Sequence, residues 1–279
     1  YNCFFVKIRK NLKFVFCIFI KKKKMIVSLI QAPLVWENPS ENRLYFEQKI
    51  KAISQHTNLI VLPEMFTSGF TMNPKHVAET MQGETIAWLI ELAKANNAAI
   101  TGSLVIQEGE LFFNRMVFVF PSGKVEYYDK RHLFTLAGEE KVYQPGKEKK
   151  IIEYNNWKIC LQVCYDLRFP VFARNTEDYD LLIYVANWPK VRTNAWDILL
   201  KARAVENLTY VIGVNRIGFD DNEHEYVGHS QVIDELGNYL LEPQLNEHVF
   251  HVDLDKEKML ETRKKLNFLN DRDDFSISS

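Results

Sequence analysis

A chain of 279 residues with 47% hydrophobic and 25% charged side chains has the make-up of an ordinary globular protein with a sizeable core. Its net charge of -1 hides an asymmetry: residues 1–24 carry seven Lys, one Arg and no acid, which leaves 27 basic against 36 acidic residues, a net -9, in the remainder. An acidic body argues against nucleic-acid binding, and four cysteines, two of them at positions 3 and 17, argue against a disulfide framework and for a reducing compartment.

The opening stretch, YNCFFVKIRKNLKFVFCIFIKKKK, does not start with Met and lacks Ala, Gly, Pro, Asp and Glu. Its apolar run, residues 14–20, is too short to span a bilayer, and no small-residue cleavage site follows it. Rich in Lys, Phe, Ile, Asn and Tyr, it reads as translated AT-rich DNA, so residues 1–24 are expected to be a non-native extension ahead of a native start at Met25. A basic, membrane-touching segment is the alternative, and no membrane contact is expected of the body.

From residue 25 the pattern becomes regular. Residues 25–31 (MIVSLIQ) read as a strand and residues 38–54 as a helix capped by Asn38 or Ser40, with Pro39 in its first turn. The run LIVL at 59–62 is a short strand buried on both faces, stopped by Pro63, and Glu64 follows at once. Ile86, Leu89, Ile90 and Ala93 keep helical spacing up to Asn96 and Asn97. Residues 99–106, 111–120 and 124–128 form a meander of strands, with Lys130 just past the last.

Residues 131–146 have no clean period and make a loop of functional length. Strands return at Lys150–Tyr154 and at Trp157–Val163, where apolar residues alternate, so Cys164 marks a strand end. A short helix over 167–174 is expected next, its N-terminus favouring a thiolate. The buried run 180–185 leads into Asn187, Trp188 and Pro189; a helical stripe from Trp196 to Leu208 and strands at 210–214, 230–233, 239–241 and 248–252 follow. The result is one α/β domain of layered sheets over residues 25–265, with a tail, residues 266–279, whose Phe268, Leu269 and Phe275 suit docking on a partner subunit.

Glu64, Lys130 and Cys164 each follow a strand, and strand ends on one edge of an α/β sheet converge. Cys164 could instead be a small buried hydrophobe, and Glu64 and Lys130 merely solvated. Pairing Cys164 with His132 would give a papain-like site, but His132 lacks a supporting pattern. His224 and His229, five apart around Gly228, do not share a helix face, so no metal is expected. Arg203, Glu206 and Asn207 in ARAVEN read as a buried structural network.

PEMF at Glu64, YDKRHLF at Lys130 and VCYDLRFP at Cys164, with these residues 66 and 34 positions apart, closely resemble the nitrilase, or carbon–nitrogen hydrolase, superfamily. VLPEMFTSGF, CYDLRFPVFARN and YVANWP look most like its bacterial omega-amidase branch, which hydrolyses side-chain amides of 2-oxo acids. The resemblance implies a four-layer α-β-β-α sandwich, a homodimer, a cytoplasmic location, no cofactor and a small-molecule amide substrate. It further implies a Glu64–Lys130–Cys164 triad with a second glutamate in the loop, for which Glu139 fits better than Glu140. Tyr165 is expected to give a backbone oxyanion donor and Arg168 to anchor a substrate carboxylate or to hold Asp166 or another carboxylate. Phe70, Asn187 and Trp188 match pocket-lining positions. An amidase acting on a larger amide such as deaminated glutathione, and a catalytically silent interaction protein, are the competing readings.

Overall fold

Alternation in the strands dictates a chain layered four deep, and a computed structural model describing residues 24–277 shows it. In order, the chain forms β1 (Lys24–Gln31), α1 (Pro39–Lys51), β2 (Leu59–Val61), α2 (Pro74–Val77), α3 (Glu84–Asn96), β3 (Ala99–Glu108), β4 (Leu111–Val119) and β5 (Val125–Asp129). The second half continues with β6 (Lys150–Tyr154), β7 (Trp157–Val163), α4 (Pro170–Ala173), β8 (Leu181–Ala186), α5 (Thr193–Asn207) and β9 (Tyr210–Asn215). It closes with β10 (Ile217–Phe219), β11 (Glu225–Val227), β12 (Ser230–Ile233), β13 (Tyr239–Gln244), β14 (His248–Asp255) and α6 (Lys256–Leu266). The expected upstream extension lies, but for Lys24, outside the described residues.

Two six-stranded sheets result, ordered β14-β1-β2-β3-β4-β5 and β13-β12-β9-β8-β7-β6. In each, the central strands run parallel and the flanking ones antiparallel. Side chains alternate faces along a strand, so each sheet has two jobs. Leu59 and Val61 meet Ile159, Leu161, Val163, Leu181, Ile183 and Val185 in the core between the sheets. Their neighbours Ile60 and Leu62 face Phe46 and Ile50 of α1 and Leu89 and Ala93 of α3. On the far side Cys160, Leu182 and Tyr184 face Trp196 and Leu200 of α5. Burying each such aliphatic side chain stabilises the fold by about 1.5–3 kcal/mol. The α-β-β-α sandwich follows from this parity.

Helix ends match their sequence signals. The Asn38 side chain accepts the Glu41 N–H at 3.2 Å with Pro39 at the first position of α1, and Asn97 closes α3 in the left-handed region at φ 46°. Two features differ from expectation. The hairpin β10–β11 and the one-turn α2 are additional, and the segment after Cys164 is a 3-10 turn, with the helix delayed to Pro170. Proline favours a first helical position, which pushes the start to residue 170. Cys160 faces the α5 layer, whereas Cys164 lies past the strand at the edge of both cores, and both are free thiols.

Candidate active site

The first sheet delivers three charged side chains to one buried point. β2 ends at Val61, Pro63 has no N–H to carry the ladder further, and Glu64 leaves the sheet just beyond it. Met65, at φ 41°, turns the chain sharply, with its N–H on Ser103 Oγ at 2.8 Å. Lys130 follows β5, its backbone N–H bonded to Asn114 O at 3.0 Å and its carbonyl to the Gly146 N–H at 2.9 Å. Lys130 Nζ donates to Glu64 Oε1 at 3.0 Å and to Glu139 Oε1 and Oε2 at 3.0 and 2.9 Å. All three residues are completely buried.

Two buried carboxylates against one ammonium leave a net negative charge, so further donors are needed. Asn114 Nδ2 supplies 2.7 Å to Glu64 Oε1 and 3.3 Å to Glu139 Oε1. The Asn187 N–H donates to Glu64 Oε2 at 2.7 Å, and the Phe134 N–H to Glu139 Oε2 at 2.6 Å. Glu140, by contrast, is exposed.

The second sheet delivers the thiol. Cys164 has φ 44°, a left-handed conformation that costs a non-glycine residue about 1–2 kcal/mol. Asp166 holds this elbow: its Oδ2 accepts the Val163 N–H at 3.0 Å and the Tyr128 hydroxyl at 2.7 Å. Its Oδ1 accepts the His132 backbone N–H at 2.9 Å and lies 2.7 Å from His132 Nδ1. Arg203 Nη2 fixes the Leu167 carbonyl at 2.6 Å, so the ARAVEN network braces the turn from behind. His132 is stacked on Phe169 with ring centres 3.8 Å apart and is tied to Asp166 rather than paired with the thiol. The N–H groups opening the 3-10 turn, Tyr165 among them, have no acceptor within that turn.

Electrostatics follow from burial and order. Burial and the Glu64 carboxylate push the Cys164 thiol well above its ordinary range, against the pull of Lys130. Burial likewise raises the Glu139 carboxyl, again against Lys130. Burial disfavours the Lys130 ammonium, but Glu139, Glu64 and Cys164 outweigh it, so the amine holds its proton above the usual lysine range. The resting arrangement is a thiol beside a carboxylate and a fixed cation. Such a trio can take a proton from sulfur and stabilise an oxyanion.

A cavity of about 550 Å³ opens onto Lys130 and Cys164. Phe70, Tyr165, Arg168, Asn187 and Trp188 all line it. Asn187 does more than line: besides its backbone bond, its Nδ2 donates to the Glu64 carbonyl at 2.7 Å. Arg168 lies over the Trp188 ring at 5.0 Å, and Asp166, a partner considered for it, is occupied by other donors. Sequence reasoning missed Asn114, a polar residue inside the apolar strand FFNRMVF, and that mismatch was its signal. It also missed Tyr143, whose hydroxyl donates to Thr71 O at 2.7 Å, and Arg192, Asp220, Asn222, His224 and Tyr226 on the cavity wall. Short loops and a three-residue hairpin carry no period that would mark them.

His224 and His229 part company: His224 lies beside Asp220, and His229 Nδ1 is 3.0 Å from Asp197. Among the described residues no group of three or more His, Cys, Asp and Glu side chains could hold a metal ion, and no helix is long and apolar enough to cross a membrane.

Comparison with known proteins places this geometry. Residues 26–264 match the family model described as carbon-nitrogen hydrolase. The omega-amidase YafV of Yersinia enterocolitica is 44% identical over 255 residues, 90% of this chain and 98% of the relative. A 2-oxoglutaramate amidase of Bacillus subtilis is 31% identical over 253 residues, 89% and 97% of the two chains. A solved CN-hydrolase superfamily protein of Xanthomonas campestris, with an arsenic adduct in its active site, superposes with a TM-score of 0.89 at 41% identity, covering 91% of this chain and 99% of that one. With a family model spanning nearly all of the layered domain and a relative 44% identical over 98% of its own length, the chain belongs to the carbon-nitrogen hydrolase family.

Proposed function

We propose that this enzyme hydrolyses the omega-amide of short 2-oxo acids, 2-oxoglutaramate and 2-oxosuccinamate, to the dicarboxylate and ammonia. The observation that carries the reading is Lys130 Nζ held at 3.0 Å from Glu64 and 2.9 Å from Glu139 at the floor of the cavity that Cys164 also lines. The names of its full-length relatives support the substrate class.

In this reading Cys164 Sγ attacks the amide carbon while its proton passes to Glu64. A thiol held above its ordinary range is mostly protonated at neutral pH, so a base at hand is required. Lys130 and the Tyr165 N–H stabilise the oxyanion; when the C–N bond breaks, Glu64 gives its proton to the departing nitrogen and ammonia leaves. Water then attacks the thioester, yielding a proton to Glu64, and as the C–S bond breaks Glu64 gives that proton to the departing sulfur, which restores the thiol and releases the dicarboxylate. Glu139 acts on Lys130, fixing its position and charge. No step calls on a cofactor. The protein is read as a cytoplasmic homodimer in which the tail beyond residue 265 packs at the partner's surface.

A five-carbon amide does not fill about 550 Å³, and this spare room favours a second reading, an amidase for a larger substrate such as deaminated glutathione. Ammonia release across 2-oxoglutaramate, 2-oxosuccinamate, deaminated glutathione and simple nitriles separates the two. The highest kcat/KM is expected for the 2-oxo acid amides; a higher value for the tripeptide would transfer the assignment to it.

A further inference from the structure

Two guanidinium groups line the cavity, and neither has an acid of its own. Arg168 lies 5.0 Å above the Trp188 ring, and Arg192 lies 5.1 Å above the Phe134 ring. Among the described residues neither side chain makes a hydrogen bond or ion pair. The two arginines share a wall, because Trp188 Nε1 donates to the Arg192 carbonyl at 2.8 Å. The Phe134 ring, in turn, packs against Tyr165 at 5.0 Å between ring centres, next to Cys164.

The other charges of the cavity are already engaged. Lys130 is held by two carboxylates, Glu37 accepts the Thr71 hydroxyl, and Asp220 accepts the Tyr226 hydroxyl and the Asn222 and His224 N–H groups. An aromatic face orients a guanidinium in its plane and leaves its edge donors free, which is the geometry that carboxylates accept.

From this we infer that Arg192, together with Arg168, forms the subsite that receives the substrate's carboxylate, and that Arg192 is a specificity-determining residue distinguishing anionic from neutral amides. The inference rests on the 2-oxo acid amide reading but adds a residue and a test of its own.

The comparison is between 2-oxoglutaramate and 4-oxopentanamide, the same amide with the carboxylate replaced by methyl. Wild type should prefer the anionic amide by about 100-fold in kcat/KM, the range of a charge-assisted hydrogen-bonded contact. Arg192→Gln should cut that preference at least about tenfold, mainly through KM, and Arg192→Lys should restore part of it. An equal loss on both amides would make Arg192 merely structural and overturn the inference, as would an unchanged preference. Wild type hydrolysing both amides equally well would sink the carboxylate subsite while leaving amidase action standing. Hydrolysis of neither would remove the 2-oxo acid reading and this inference with it.

Discussion

Asn187 grips Glu64 from two sides: its backbone N–H donates to Oε2 at 2.7 Å and its side-chain Nδ2 donates to the Glu64 carbonyl at 2.7 Å. One strand end of the second sheet thus fixes a carboxylate that belongs to the first. Removing the side chain leaves the backbone bond but loosens the elbow on which Glu64 turns. Asn187→Ala should lower kcat by about 10- to 100-fold with a small change in KM, the signature of a lost positioning contact rather than lost binding. Steady-state kinetics on 2-oxoglutaramate, with urea unfolding as a control for stability, read this directly.

Lys130→Ala makes a second prediction, this time about stability. Deleting one partner of a buried ion pair leaves uncompensated charge and costs about 3–5 kcal/mol. Lys130 is what opposes the rise of the Glu139 carboxyl, so without it that carboxyl moves further up. A carboxyl whose folded value exceeds its unfolded one binds more protons when folded, so stability falls as pH rises through the window between the two values. The variant should therefore be more stable at pH 5 than at pH 7 by urea titration. An increase in stability from pH 5 to 7 would contradict the assigned electrostatics.

The thiol itself titrates visibly. Burial and Glu64 hold Cys164 above the ordinary thiol range, so alkylation by iodoacetamide should keep accelerating beyond about pH 8.5, the value for a free thiol. Glu64→Gln removes one of the two main causes and should move the alkylation midpoint down, while amide turnover collapses. Peptide-level mass spectrometry over a pH series distinguishes Cys164 from the fully buried Cys160.

Backbone strain at the nucleophile gives a further check. Cys164 sits at φ 44°, which glycine adopts without penalty. Cys164→Gly should match or exceed Cys164→Ala in stability by about 1 kcal/mol, reversing the usual order of the two residues. Thermal unfolding of both inactive variants provides the comparison.

Much of this was legible in the sequence because burial imposes period. LIVL, WKICLQV and DLLIYV alternate between two cores, and that parity fixes the layers and the strand ends where Glu64 and Cys164 lie. Three charged or nucleophilic residues at three strand ends required only that the ends converge. Asn114 stood out as a polar residue in an apolar strand, but its role as second donor to a buried acid was not legible, since that depends on which strand lies opposite, and the short β10–β11 hairpin carries no period. The short helix expected over 167–174 forms within that range but starts only at Pro170, because Asp166 folds back onto the Val163 N–H and a 3-10 turn closes over Cys164–Arg168 first.

Whether Cys164 carries the acyl group is read by acid quench of enzyme mixed with 2-oxoglutaramate, followed by mass spectrometry of the Cys164 peptide and parallel measurement of ammonia. Wild type should show a hydroxylamine-labile acyl group on Cys164, and Cys164→Ala should give neither adduct nor ammonia. Ammonia release by Cys164→Ala at the wild-type rate would contradict this assignment.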